Sequence, residues 1–433
     1  MKTKVLVLAA LVAQSLAAAP LPQRVDAYLK PFLGYHAFSG VVLAAKGDRV
    51  LLEKAYGMAN AEFGVPNTPR TRFAIASITK RFTGIILQRL FDEKKLAPDD
   101  LLSKWVPDFP SADQITVTHL MNHRSGLRDP AKLRLIVRRN YSSAQVVELL
   151  KTEPIVSKPG DVYSYTTANY AILAHIIERV TGKTYAEAVK QYVYEPAKMS
   201  DSGELTTTSV VPRLASAYMP DPFGHGVSVC GPEDTSWKVG GGSSYSTARD
   251  LLRFSRAVYD GTLLPKKIAA DMFALSDAAG RKALSSSGSF PGASANVLYF
   301  PAEEVTVVVL SNNYASVPST ITEAVARMVF GETVATPSVK LAANPNDADP
   351  RIAGDYRIPS RGWTFTVSFR DGKPIAAWTD IRMSAMLRMS DDMWFEPLDW
   401  ATLQLKFDDA GKFVDGAFTI PGFGGPQKVE RAP

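Results

Sequence analysis

A single cysteine, Cys230, occurs in a chain of 433 residues, so no disulfide can form within it and the fold must rest on packing alone. A large excess of charge of one sign is lacking as well. Forty-nine Lys and Arg stand against 43 Asp and Glu, and two of the six excess positive charges are Lys2 and Lys4 at the very start. So small an excess argues against nucleic acid, and no nucleic-acid partner is expected. Long apolar runs are missing too: the run at residues 5–12 is well short of the roughly 20 residues that span a bilayer. There is no G-x-S-x-G, which excludes the nucleophile elbow of an α/β-hydrolase, and no H-E-x-x-H zinc motif. No internal repeat or low-complexity tract is found.

What is present begins with a positive start, an apolar run and the small residues "SLAAA", the pattern of a secretory signal peptide over residues 1–19. The sequence thus predicts export to a periplasm or the medium, with no stable membrane anchor once the signal is removed. A hydrophobic content of 46% with 21% charged residues suits a folded chain of two or more domains. Residues 40–57 read as a β-hairpin turning at Gly47-Asp48, and residues 296–312 as a second. Between them, residues 78–90, 143–151, 170–180 and 248–259 carry apolar side chains at helical spacing. A sheet built from both ends of residues 20–332, with helices inserted in the middle, is therefore expected. Residues 333–349 lose all period and read as a linker. Residues 350–433 show short alternating strands separated by turn signals, and a small all-β barrel or sandwich is expected there.

The stretch "FAIASITKRFTG" holds the pair on which a function can be built. Ser77 stands at the start of a helical pattern, and Lys80 follows one turn later on the same face. A serine hydroxyl is a weak nucleophile until a nearby base or cation eases loss of its proton, and a desolvated lysine can do that. A capping serine followed by a surface lysine is the plain alternative on these residues alone.

Further along come "ITVTHLMNHRSGL", "KPGDVYSYTTANYAILAHIIERVTGKTY" and "GGGSSYSTARDLLRF". In this order, they resemble the serine β-lactamase-like superfamily, in the branch of class C β-lactamases, family VIII carboxylesterases and D-aminopeptidases. The resemblance covers roughly residues 26–330. It implies an α/β (α+β) fold, a DD-peptidase/β-lactamase-like antiparallel sheet flanked by helices with a helical lobe. It also implies hydrolysis through an acyl-serine intermediate, with Ser77 as nucleophile and Lys80 as its partner. The register set by Tyr170 and Glu178 makes Tyr165 the tyrosine of the second element, with Tyr163 as competitor. A nearby ammonium would bring the phenol of Tyr165 toward working pH. No metal or cofactor is expected. The C-terminal module resembles the lipocalin-like domains appended to some members.

Two departures from the family pattern bear on substrate. Thr167 stands where an asparagine would touch a substrate amide, and Pro291-Gly292 fixes the third element as Ser286-Ser287-Gly288, without its usual Lys or His. Ser77 and the backbone at Gly288 and Ser289 are expected to receive the substrate oxygen. The resemblance with these departures implies a small-molecule or peptide substrate, an ester or amide including D-amino-acid peptides, ahead of a β-lactam or a DD-peptidase substrate. A catalytically degenerate ligand-binding relative is the other alternative.

His119 and His123 stand four apart but lack the rest of a zinc motif. The basic residues of segment 124–139 read as a solvated face, and Gly240 to Gly242 as a tight turn rather than a phosphate loop.

Overall fold

The computed structural model describes residues 19–432 except 130–138, 207, 223–225, 232–233, 348, 380–381 and 422–423. The signal-like segment up to residue 18 and most of the basic segment lie outside the described residues. Among those described, no helix is long and apolar enough to cross a membrane.

Both expected hairpins meet in one six-stranded sheet. Its strands are β1 (Gly40–Lys46), β2 (Arg49–Tyr56), β3 (Ser276–Ala278), β4 (Arg281–Phe290), β5 (Ala293–Phe300) and β6 (Val305–Ser311), in the order β3-β4-β5-β6-β1-β2 and antiparallel throughout. The central strands are apolar at nearly every position because both faces are covered, and alternate residues enter different cores. On β6, Val308 and Leu310 pack on one side while Val307 and Val309 pack on the other.

The first face is covered by α1 (Leu21–Gly34) and the later helix Val317–Val329, the second by α2 (Thr79–Asp92), α3 (Ala168–Thr181) and α4 (Ala248–Tyr259). Helices Val117–Met121, Ser143–Leu150 and Tyr185–Val189 complete a lobe around α3. All three begin with reciprocal caps, Thr116 with His119, Ser142 with Gln145 and Thr184 with Glu187, which satisfy amides that a helix start leaves open.

The described residues of 333–349 carry no regular element, yet Val334, Val339 and Leu341 pack against the first-face core. Beyond them, of the barrel or sandwich expected, no closed barrel is formed. There are two five-stranded sheets, one with strands Gly354–Ile358, Trp363–Arg370, Lys373–Thr379, Arg382–Ala385 and Glu430–Arg431, the other running from Leu387–Arg388 through Met393–Glu396, Ala401–Phe407 and Phe413–Thr419 to Gln427–Lys428. The chain passes between them at Met386 and Val429, both about 1% exposed. These two side chains turn into the space between the sheets, while their amides stay bonded to a neighbouring strand, Met386 N to Pro374 O at 3.0 Å and Val429 N to Gly416 O at 2.8 Å. Trp394, Tyr356 and Phe418 fill that space. Phe395, Leu398 and Trp400 point the other way, into the core beneath α1, where Trp400 meets the ring of Phe32 at 4.2 Å.

Candidate active site

Ser77 lies in a single 3-10 turn, Ala76–Ile78, that leads directly into α2. The turn is sharp, since Ala76 sits at φ +47°, a conformation an L-residue enters at some cost. It is pinned from both sides. Ile75 N donates to Ser244 O at 3.0 Å, Ser244 N donates to Thr79 Oγ1 at 3.1 Å, and Thr79 Oγ1 donates to Ala76 O at 2.7 Å.

Lys80 Nζ lies 3.2 Å from Ser77 Oγ and donates to Gly241 O at 2.6 Å. The turn at Gly240 to Gly242 explains that carbonyl's position. A Cβ on Gly241 would stand 2.8 Å from Thr167 Cγ2, and one on Gly240 would stand 2.8 Å from Tyr170 O, so only glycines let this loop close on α3. Lys80 is 8% exposed, and burial brings its pKa from 10.5 down to about 7, partly opposed by the Asp129 carboxylate.

Tyr165 Oη donates to Ser77 Oγ at 2.9 Å, so lysine and tyrosine flank the same oxygen. The ring is half-exposed at the cavity mouth, but burial of its surroundings pushes the phenol pKa up, with the Ser77 hydrogen bond opposing. This direction differs from the depressed phenol expected from sequence. The reason is desolvation of the phenol, which outweighs the Ser77 hydrogen bond and the nearby Arg81 charge. Tyr163 lines the same cavity without a hydrogen bond to Ser77, its ring edge-on to His123 at 5.9 Å.

His123 is a platform for the tyrosine. Its ring lies 4.4 Å from that of Tyr165 and 5.4 Å from that of Tyr170, and burial holds its pKa down to about 4, so it is neutral at working pH. His119 is used elsewhere, accepting from Thr116 N at 3.3 Å. No cluster of three metal-ligating side chains occurs among the described residues.

Asp129 was not singled out from the sequence, where it is hidden in a basic segment. It accepts from Thr166 Oγ1 at 2.5 Å, Thr167 N at 2.6 Å and Ala168 N at 3.2 Å, and so caps α3 and fixes the segment bearing Tyr165. Its signal was its type: a carboxylate can accept several amides at a helix start.

On the opposite side of Ser77 runs β4. A Cβ on Gly288 would stand 2.2 Å from Ile75 O and 2.7 Å from Ser77 N, so a glycine is needed where the strand passes the nucleophile's amide. Ser286 is 6% exposed and lines the cavity with its neighbours Ser285 and Ser287. Thr167 and Ser289 are not among the lining residues; the Ser289 hydroxyl lies 3.3 Å from Ser294 Oγ. The cavity, about 660 Å³, is large enough for a small substrate and contains Ser77, Lys80 and Tyr165 together.

The arrangement is one that can acylate a hydroxyl: a nucleophile at the start of a helix, a base with pKa near neutrality, a second proton carrier, and a bare backbone strand opposite. Comparison with known proteins agrees with it. The family model described as Beta-lactamase matches residues 25–330. The putative penicillin-binding protein PbpX of Bacillus subtilis is 28% identical over 253 residues, 58% of this chain and 61% of that one. The teichoic acid D-alanine hydrolase of Staphylococcus aureus is 30% identical over 250 residues, 58% of this chain and 60% of that one. The chain thus spans about three fifths of the length of these relatives. The octameric penicillin-binding protein homologue of Pyrococcus abyssi shares the fold at a TM-score of 0.64 with 19% identity, over 94% of this chain and 99% of that structure.

Proposed function

The chain belongs to the beta-lactamase family and is a serine hydrolase, and from that premise we propose that it is an exported enzyme cleaving small esters or amides through an acyl-Ser77 intermediate. The observation that carries this reading is the position of Ser77 Oγ, 3.2 Å from Lys80 Nζ and 2.9 Å from Tyr165 Oη. Neutral Lys80 holds one N–H on Gly241 O, which leaves its lone pair for the Ser77 proton. As that proton moves to Lys80, Oγ bonds to the substrate carbonyl carbon, and the carbonyl oxygen takes the negative charge. Ser77 N–H and the strand backbone beyond Gly288 are in place to receive it. The proton then passes to the leaving oxygen or nitrogen, with Tyr165 relaying it, as the carbonyl bond to that atom breaks. Water repeats the sequence on the acyl-enzyme and regenerates Ser77.

D-alanyl esters and amides are the first substrates to try, since the teichoic acid D-alanine hydrolase is among the relatives. The signal-like start supports export. The experiment is intact-protein mass after exposure to a fluorophosphonate and to D-alanyl esters. A single adduct, absent in Ser77→Ala, is expected; a folded wild-type protein that forms no adduct and turns over no ester refutes the proposal.

A further inference from the structure

The sequence places a serine where the family pattern has a cation on the strand beside the nucleophile, yet the cavity does contain a second positive charge. Arg81 follows Lys80 in the first turn of α2, and a rotation of about 100° per residue sends the two side chains to different walls of the same cavity. Lys80 goes to the glycine turn. Arg81 goes to β4, where Nη2 donates to Ser285 O at 3.0 Å and the guanidinium lies 5.1 Å from the centre of the Phe273 ring. Ser285 is the immediate neighbour of Ser286.

No carboxylate pairs with Arg81 among the described residues, although the side chain is largely buried. The groups whose charge would favour its cationic form are the phenols of Tyr170, Tyr259 and Tyr165, which are neutral at working pH. Asp271, the carboxylate among the lining residues, is held by Lys267 at 2.8 Å and is 64% exposed. A desolvated guanidinium with one backbone acceptor has donors to spare, and its planar fork fits an oxyanion in two-point contact. Leaving such a charge unpaired is unfavourable, so an arriving anion removes a standing penalty.

We infer that Arg81 is a specificity-determining residue that holds a carboxylate of the substrate beside Ser77, standing in for the cation that Ser286 does not supply. This rests on the proposed acyl-serine reading for its meaning, but not for its test. Phe273 and the Ser285 carbonyl fix the guanidinium at the cavity wall, and Ser286, being small, puts no long side chain into the cavity beside it.

The test separates binding from chemistry. Ser77→Ala protein, which cannot be acylated, is titrated calorimetrically with 3-acetoxybenzoate and with the neutral 3-acetoxybenzamide. The carboxylate should bind about tenfold or more tightly, as expected for a charge-assisted pair in a partly dry site. Adding Arg81→Gln should bring the two affinities within about twofold, and Arg81→Lys should retain part of the preference. Equal affinities in Ser77→Ala, no measurable binding of the carboxylate, or a ratio that Arg81→Gln leaves unchanged overturns the inference. In parallel, turnover of both esters by the wild-type protein reports on the acyl-serine reading alone. Loss of turnover with the binding ratio intact would remove the reading and leave the anion site.

Discussion

If Lys80 is the base, its protonation should govern the rate, and the structure sets where. Burial brings its pKa from 10.5 to about 7, which corresponds to the ammonium being disfavoured by roughly 5 kcal/mol relative to water. The neutral amine would then make up about a tenth of the enzyme at pH 6 and about nine tenths at pH 8, so kcat/KM for a neutral ester should rise roughly tenfold over that interval. His123, held down to about 4, and Tyr165, pushed up, titrate outside it. The same shift has a second consequence, in stability. An unfolded lysine keeps its proton up to its ordinary pKa, whereas the folded one releases it near neutrality. The penalty is therefore full below pH 7 and is relieved as pH rises toward 10.5. Measured by urea unfolding, wild type should gain on Lys80→Met by about 4 kcal/mol between pH 6 and pH 10. Initial rates with a p-nitrophenyl ester and paired denaturation curves supply both readings. A flat rate profile between pH 6 and 8, together with a stability difference that does not move, would refute the assignment of Lys80 as a desolvated base.

Asp129 favours the charged form of Lys80, so Asp129→Asn should shift the rising limb of the rate profile to lower pH, while Asp129→Ala should also lose about 1–2 kcal/mol from the uncapped α3, read by thermal melting. Tyr165→Phe should lower kcat by about a hundredfold or more, and Tyr163→Phe should change it far less; equal losses would mean that the hydroxyl beside Ser77 Oγ is not the one that relays protons. Gly288→Ala should abolish acylation by a fluorophosphonate while destabilising the fold by about 1–3 kcal/mol, since its methyl would meet Ile75 O and Ser77 N. Buried Glu396 beside Asp399 has its carboxyl pKa raised, so the fold should lose stability as pH climbs above the usual carboxylate range, and Glu396→Gln should flatten that loss.

The six-stranded sheet was legible because its strands are buried on both faces, which writes continuous Val and Leu runs at residues 41–45 and 305–310. The helices were legible by period, and residues 248–259 match their helix at both ends. Ser77 and Lys80 could be read because they share one turn, and Tyr165 because Tyr170 and Glu178 fixed its register. What could not be read was contact across the chain. Arg81 and Ser285 are 204 residues apart, and nothing in the local pattern says that the arginine turns toward that strand. The direction of the Tyr165 shift is hidden for a related reason: it depends on how far the folded chain desolvates the phenol. The split of the C-terminal strands into two sheets was not legible either, because the crossings at Met386 and Val429 are single residues that leave no trace in an alternating pattern.

The aromatic contact between Trp400 and Phe32 joins the last β sheets to the first helix of the catalytic body. Phe395 and Leu398 lie in the same core, and Ser316 N donates to Leu398 O at 3.1 Å just before the helix that closes the body. A protease cutting within residues 333–349 would therefore nick the protein without separating it, and the two fragments should co-purify. By the same reasoning, a gene truncated before residue 350 would encode a body with a greasy wound where Trp400 had been. The C-terminal sheets thus behave as a plug that the catalytic body needs in order to bury its own apolar face.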